Sequence, residues 1–211
     1  MYLPSAISWV SGNIENGALI GDSFGSINAL FSGLGLAGII YTIWFQKKFS
    51  NLQNFENKFF QLLTLHHTIV SGSGEHIVDL FERISRQIKT RYDNSDSNGL
   101  DYLIKLYELN YKIHHAVMGH YFRNLYHIVR FIHETEEINN NEKYSYIRIL
   151  RAQLSSYEIV LLAYNGLSEK GANFKEYINL YLLLDNLDSA EFVAALDVLR
   201  EHYPQLRNVL K

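Results

Sequence analysis

The chain has 211 residues, of which 47% are hydrophobic and 19% charged, a size that fits one domain or one domain with a small appendage. The formal net charge of −3 and the presence of only two prolines exclude a disordered charged tail and a Pro-rich linker protein. The lack of cysteine excludes disulfide scaffolds, cysteine-based zinc sites and thiol catalysis.

Charged residues are unevenly distributed along the chain. All 19 Lys and Arg residues lie at or after Lys47, and the first 46 residues carry only Glu15 and Asp22 as charges. Residues 23–46 form a run of 24 residues without a charge or a proline. As a helix, this run would rise about 36 Å, which exceeds the bilayer hydrocarbon core of about 30 Å.

The flanks of this run are typical of a membrane span. Tyr41 and Trp44 lie near one end, where amphipathic rings favour the headgroup region, and Lys47 and Lys48 follow at once. A signal peptide would need basic residues before the run and a shorter apolar region. A Gly-rich buried helix of a soluble oligomer is the alternative interpretation of the run.

The positive-inside rule gives the predicted topology, because every basic residue follows the run. We expect a short extracytoplasmic or interfacial segment at 1–21, a transmembrane helix at 22–48 and a cytoplasmic α-helical domain at 49–211. The predicted topology is thus a single pass with the C-terminal domain in the cytoplasm.

Small residues recur every four positions within the predicted span and line one helical face. Such a stripe lets two helices approach closely in lipid, and an intramembrane amide can hydrogen-bond across the contact. The predicted packing residues, which indicate a homo-oligomer, are Gly21, Gly25, Asn28, Ala29, Gly33 and Ala37.

Apolar residues have helical spacing almost everywhere after Phe49, and no hairpin signal stands out. The predicted fold class is therefore all-α, an N-terminal transmembrane helix followed by a helical bundle. The first helix of the bundle ends at Ser71–Gly74. The later ones cover Ile77–Ile88, Leu100 to about His133, Tyr146–Leu162 with an Asn165–Gly166 cap, about Phe174–Leu184, and Ser189–His202 with Pro204 as a stop.

A polar stripe interrupts the third of these helices. His120, Arg123, Asn124 and His127 share one face by helical geometry. A histidine base with an arginine that stabilises developing phosphate charge is the chemistry of RNA cleavage. HEPN-type ribonucleases place four to six residues between Arg and His, whereas three separate Arg123 from His127 here. We therefore assign no catalytic residue, and His120, Arg123 and His127 are the candidates for the ribonuclease alternative.

A second group of polar residues follows on the next predicted helix. Arg151, Ser155 and Glu158 share a face, and Arg151 is expected to pair with Glu158 through Ser155 or to reach the polar stripe. The favoured interpretation is a buried network that fixes helix register. Its predicted members are Asn124, Arg151, Gln153, Ser155, Glu158 and Asn165.

Metal and cofactor signatures are missing from the sequence. His66–His67 and His114–His115 are adjacent pairs whose side chains diverge by about 100° on a helix. The chain contains neither HxxxH nor HExxH, and neither of the two glycine-rich phosphate-binding motifs. We therefore predict no metal site and no cofactor.

Four segments in order resemble the phage abortive infection protein family (AbiC-type): IGDSFGSINALFSGLGLAGIIYTIWFQ, NKFFQLLTLHHTIV, HYFRNLYHIVRFI and YIRILRAQLSSYEIVLLAYNGLS. The resemblance extends from about Gly21 to Ser168. The matching positions are Gly21, Asp22, Phe24 and Gly25 at the membrane entry and Arg123, Tyr126, Arg151, Gln153, Ser155, Glu158 and Asn165 in the body. The resemblance implies a bacterial protein that is anchored in the inner membrane and blocks phage propagation, and it implies no catalytic mechanism.

The predicted function is accordingly a membrane-anchored anti-phage protein, a non-enzymatic oligomeric effector that acts at the membrane. Its expected partners are the lipid bilayer, further copies of itself, and a phage-derived trigger or a defence-system partner protein. We expect no nucleic-acid partner, since no basic excess is present. The alternatives are a membrane-tethered ribonuclease and a regulatory or assembly subunit of a larger defence complex.

Overall fold

The computed structural model of the chain describes residues 5–72, 76–97, 99–187 and 193–206, and it describes side chains from Phe24 onward. These ranges are helical and contain no strand, which confirms the predicted all-α class. The helices are α1 (Ser5–Ser71), α2 (Ile77–Asp93), α3 (Leu100–Ile113), α4 (His115–Glu134), α5 (Asn140–Arg151), α6 (Ser156–Leu167), α7 (Ala172–Leu180) and α8 (Leu196–His202), with a 3₁₀ turn at Glu169–Gly171 before α7.

Contacts divide the chain into two units, residues 1–53 and 54–211. In the first unit, α1 begins at Ser5, earlier than the predicted start of the span at Asp22. Every side chain described between Phe24 and Ser50 is exposed, including many large apolar ones. By length and composition, α1 is the one helix among the described residues that could cross a membrane.

The second unit, which we call the body, is built around α6. Glu158–Gly166 are buried without interruption, so α6 has no solvent-exposed face along this stretch. The sequence dictates this position, because a helix that is apolar on every side must be covered on every side. α2, α3 and α7 pack against it.

Residues 193–206 complete the covering of α6. The Tyr203 hydroxyl donates to the Ala163 carbonyl oxygen at 2.7 Å, and the Ala194 amide donates to the Tyr164 hydroxyl at 2.8 Å. Gly166 leaves room for this approach, because a Cβ there would lie 2.5 Å from the Tyr203 hydroxyl. The two tyrosine hydroxyls therefore fasten the C-terminal segment to the central helix.

The prediction of one continuous helix from Leu100 to about His133 is wrong, because the structure has two helices there. The chain leaves helical geometry at His114 (φ −108°, ψ 25°), which separates α3 from α4. Just before the break, the buried Asn110 side chain donates to the carbonyl oxygen of Leu106 at 2.9 Å, a local bond that competes with regular helix geometry. Helical spacing continues on both sides of His114, so periodicity alone could not reveal the break.

The predicted fourth helix is likewise two helices, α5 and α6, separated at Ala152–Ser155. Ser155 is the N-cap of α6: its hydroxyl accepts from the Glu158 amide, and the Glu158 carboxylate accepts from the Ser155 amide. The sequence Ser-Ser-Tyr-Glu carries the S-x-x-E signature of this capping box, so this start was readable from the sequence.

The predicted Asn165–Gly166 cap is wrong, because both residues lie inside α6, which ends at Leu167 with Ser168 in extended geometry. α7 ends at Leu180, before the predicted Leu184. The predicted start signal around Ser189 lies outside the described residues. α8 is described from Leu196 and ends at His202, before Pro204, as predicted.

Gly171→Ala is expected to lower the free energy of unfolding of the body by about 3 kcal/mol, the upper end of the range for overpacked substitutions. A Cβ at Gly171 would overlap the backbone carbonyl of Asn165, which α6 holds in place. Thermal unfolding followed by circular dichroism measures the effect. Gly35→Ala is the matched control, because its Cβ meets nothing within 4 Å; equal melting of the two variants would contradict the close approach.

Candidate functional site

The structure separates the members of the polar stripe on α4. His120, Arg123 and His127 are exposed and Asn124 is half-buried. His120 lines a groove with residues of α1 and α2, among them Thr68 and Leu80. Arg123 instead lines a cavity on the side of α4 that faces Lys170. His120 and Arg123 thus line different cavities.

The cavity beside Arg123, which we call the Arg123 cleft, lies between α3, α4 and the 3₁₀ turn that leads into α7. Its volume is about 220 Å³, and it continues into an open groove of about 830 Å³ that shares Tyr111, Gly119, Arg123 and Lys170 with it. The inner cavity is lined chiefly by cationic, amide and aromatic side chains: Tyr111, Arg123, Tyr126, Lys170, Asn173 and Phe174.

Two glycines shape the walls of the Arg123 cleft. Gly119 on α4 lets the Tyr111 ring of α3 lie close, because a Cβ there would stand 3.0 Å from the Tyr111 hydroxyl. Gly171 lets the 3₁₀ turn lie directly on Asn165 of α6. As a result, Lys170 stands over the Tyr111 ring, with its Nζ 5.7 Å from the ring centroid, a cation–π distance.

Asn165 forms the floor of the cleft, and a hydrogen bond on its buried side holds its side chain in place. It is buried, and its Nδ2 donates to the Tyr107 hydroxyl at 2.8 Å. Burial raises the pKa of Tyr107 well above its usual range, so this hydroxyl stays protonated at all ordinary pH values. The floor is therefore neutral, whereas the cationic charge lies on the walls.

A second polar cluster lies inside the body, where α1, α4 and α6 meet. His66 Nδ1 lies 3.2 Å from Asn124 Oδ1, and because an amide oxygen only accepts, a hydrogen bond between them requires the tautomer with the proton on Nδ1. Beside them, Tyr121 and Glu158 are no more than 1% exposed. Burial raises the pKa of Tyr121 well above its usual range, and the nearby Glu158 carboxylate raises it further.

This cluster is not fully hydrogen-bonded. Among the described residues, His66 Nε2 is buried without a hydrogen-bond partner, whereas the Tyr121 hydroxyl and the Glu158 carboxylate lie close enough to interact with each other. Burial lowers the pKa of His66, while the negative charge of Glu158 raises it in part. Neutral His66 is therefore the form that the fold favours.

The remaining predicted network residues lie apart. Arg151 donates to Asp185 Oδ2 and Asn186 Oδ1, each at 2.7 Å, rather than to Glu158. Gln153 is exposed and lies 3.5 Å from the Ile149 carbonyl oxygen. Asn124 therefore contacts His66, which lies near Glu158. Arg151 instead stabilises the turn after α7 through Asp185 and Asn186.

The predicted membrane-packing residues lie on α1. Gly25, Asn28, Ala29, Gly33 and Ala37 are exposed, and a Cβ at Gly25 or Gly33 would meet nothing within 4 Å. Gly21 lies in α1, but its surroundings are outside the described side chains.

The part of the chain that the structure describes holds no group of three or more histidine, aspartate or glutamate side chains suited to a metal ion. The chemistry that the Arg123 cleft offers is that of anion recognition, since its lining carries guanidinium, ammonium and amide groups, which are hydrogen-bond donors.

Comparison with known families bears on the same part of the chain. Residues 113–192 match the family described as putative phage abortive infection protein. This match confirms the resemblance over α4 to α7, which contain the last two of the four segments quoted above, and Arg123, Lys170 and Glu158 lie inside it. The first two segments, including the membrane entry, lie outside it.

Two further comparisons give no match. Neither the curated proteins nor the solved structures compared with this chain include a significant relative. The family match over residues 113–192 is therefore the similarity on which the functional argument depends.

The residues that sequence reasoning missed come from separate elements. Lys170 and Tyr111 line the same cleft as Arg123 but are distant from it along the chain, and no local pattern connects them. In the sequence, His66 is distinguished only as one member of the His66–His67 pair. Its apolar neighbours at helical spacing, Leu62, Leu63 and Ile69, indicated a buried face but not which of His66 and His67 lies on it.

The stability of the body is expected to fall as the pH drops from 7.5 to 5.5, with His66 as a specific contributor. Its pKa in the fold is below the usual 6.5, so its contribution is complete above pH 6.5 and is lost as the pH falls toward the lowered pKa. A single titrating group changes the slope of the free energy of unfolding against pH by at most about 1.4 kcal/mol per pH unit.

Chemical denaturation at a series of pH values measures this slope. His66→Gln should show a smaller slope than the unmodified protein, and His67→Gln, which changes the exposed neighbour, should keep it. Identical slopes for the unmodified protein and His66→Gln would contradict a neutral, buried His66.

Proposed function

We propose that this chain is a membrane-anchored anti-phage protein of bacteria that acts in abortive infection. The family match over residues 113–192 carries this proposal. The long apolar helix α1, exposed along Phe24–Ser50, supports the membrane anchor, because contiguous apolar surface of this size is uncommon on soluble monomers.

The proposed arrangement in the membrane has three parts. Residues 22–48 span the inner membrane once, residues 49–211 lie in the cytoplasm, and residues 1–21 are extracytoplasmic or interfacial. The basic residues that follow the span, Lys47, Lys48 and Lys58, support this orientation, since none precedes it.

The effector is proposed to be non-enzymatic and oligomeric. The open space beside Gly25 and Gly33 supports close helix packing in lipid. The placement of His120 and Arg123 in different cavities weighs against a shared ribonuclease centre. A phage-derived trigger or a defence partner protein would act on the body, and the assembly would then perturb the membrane.

The test is infection of bacteria that express the full chain, with membrane potential and total RNA measured together. The proposal expects reduced phage yield, depolarisation and intact RNA. RNA fragments in cells with polarised membranes would replace it with a ribonuclease, and protection with neither change would favour an assembly subunit, which co-purification would identify. Unchanged yield of every phage in a diverse panel would contradict a defence role.

Leu34→Arg is expected to release the protein from the membrane. Leu34 is exposed near the middle of the apolar run, and an arginine at the centre of a span costs about 2.5–3.5 kcal/mol in membrane insertion. Alkaline extraction of isolated membranes measures the fraction retained. Leu34→Ile is the matched control, and equal retention of the two variants would argue against a span here.

Gly33→Leu is expected to reduce both oligomer size and phage protection, because a leucine would separate helices that pack through the small-residue stripe. Cross-linking in membranes and plaque counts measure the two effects. Gly35→Leu is the control, since Gly35 is equally open but does not belong to the stripe. Unchanged oligomers in Gly33→Leu would exclude the stripe as the contact.

A further inference from the structure

The two cations of the Arg123 cleft differ from those arginines of the body that lie in ion pairs. Arg86, Arg130, Arg151 and Arg200 each pair with a carboxylate within 3.2 Å. Within the described ranges, Arg123 and Lys170 have no carboxylate within 4 Å and still line the same cavity. Two cations that face one cavity repel each other, and an anion between them would relieve that repulsion.

The inner cavity also has no acidic lining. Its described wall residues include Arg123 and Lys170 but neither aspartate nor glutamate. Asn173 at the start of α7 adds an amide, whereas the amide nitrogen of Asn165 donates to the Tyr107 hydroxyl. Guanidinium, ammonium and amide groups together form the donor set that phosphate oxygens require.

Aromatic rings supply the second half of a ligand site. Tyr126 packs edge-on against Phe174, with ring centroids 5.5 Å apart, and both line the cavity. Tyr111 forms another wall and continues into the open groove. Such rings can stack against the planar face of any nucleobase.

We propose that the Arg123 cleft binds a small nucleoside polyphosphate, with its phosphates toward Arg123 and Lys170 and its base against the aromatic walls. The inner cavity alone, about 220 Å³, is smaller than the range of about 300–1,000 Å³ for small-ligand sites, so the ligand would extend into the adjoining groove of about 830 Å³. Binding of this kind goes beyond the proposed defence role and is measured on the isolated protein, so either can fail without the other.

The outer groove favours a small ligand over an RNA strand. Glu108 and Glu169 line it together with Lys112 and His115. A phosphate backbone that continued out of the inner cavity would pass these carboxylates. A single nucleotide with its base against Tyr126 has no further phosphate to place beyond Arg123 and Lys170. Like charges at short range disfavour the longer polyanion.

The experiment uses the full chain in detergent and measures equilibrium binding of ATP, GTP, CTP and UTP, with inorganic pyrophosphate as competitor. We expect saturable binding of at least one triphosphate, with displacement by pyrophosphate. Arg123→Gln and Lys170→Gln should each weaken it about tenfold or more, as loss of a charged hydrogen bond does. Tyr126→Leu should weaken triphosphate binding but leave pyrophosphate binding unchanged.

Arg91→Gln and Lys105→Gln are the matched controls, because both residues are exposed and neither lines the cleft. They should bind like the unmodified protein, and circular dichroism should show that all variants remain folded. Lack of saturable binding for all four triphosphates would overturn the proposal. Triphosphate binding by Arg123→Gln that is as tight as binding by the unmodified protein would also overturn it. The same holds for a single-stranded RNA that binds more tightly than any triphosphate and depends on the same two cations.

Discussion

The body of this protein is organised by the need to enclose α6 on every side. Nine consecutive residues of that helix, Glu158–Gly166, are buried, and hydrophobic burial is the dominant favourable term in folding. Helices from before and after α6 in the chain are required to cover it, so no short segment of the body can form the core alone. The positions of α2, α3, α7 and the C-terminal segment follow from this requirement.

The same requirement creates the Arg123 cleft. The chain must turn sharply after α6 so that α7 can pack back against it, and the turn lies so close to Asn165 that Gly171 has no room for a side chain. This close approach places Lys170 at the edge of the turn, over Tyr111 and in the same cavity as Arg123. The cation pair is thus a consequence of how the core is closed.

Sequence reasoning reached the helical elements but not their junctions. Periodic apolar residues gave the start of α2 at Ile77 and the end of α1 at Ser71, because each coincides with a change in local composition. The break at His114 has no such change, and only packing in the folded chain determines it. The S-x-x-E capping box of α6 was present in the sequence, but the continuous apolar spacing around Ser155 obscured it.

In the candidate site, too, the sequence indicated a residue on one helix but not its neighbours from other elements. Arg123 was identified because polar residues on an apolar helix are conspicuous, yet its apparent partners, His120 and His127, were chosen by spacing on a single helix. In the fold, the side chains that share its cavity come from α3 and from the turn before α7. A site that is assembled from separate elements depends on the tertiary arrangement, which a local pattern does not contain.

The fastening of residues 193–206 onto α6 also bears on synthesis of the protein. Because Tyr203 bonds to Ala163 and Ala194 to Tyr164, α6 is fully covered only after residues 193–206 have been synthesised and have left the ribosome. A product of premature termination before Ala194 would therefore carry a complete α6 with one side uncovered. Such a fragment would expose its apolar surface to chaperones and proteases, so that full-length translation acts as a checkpoint for a stable body.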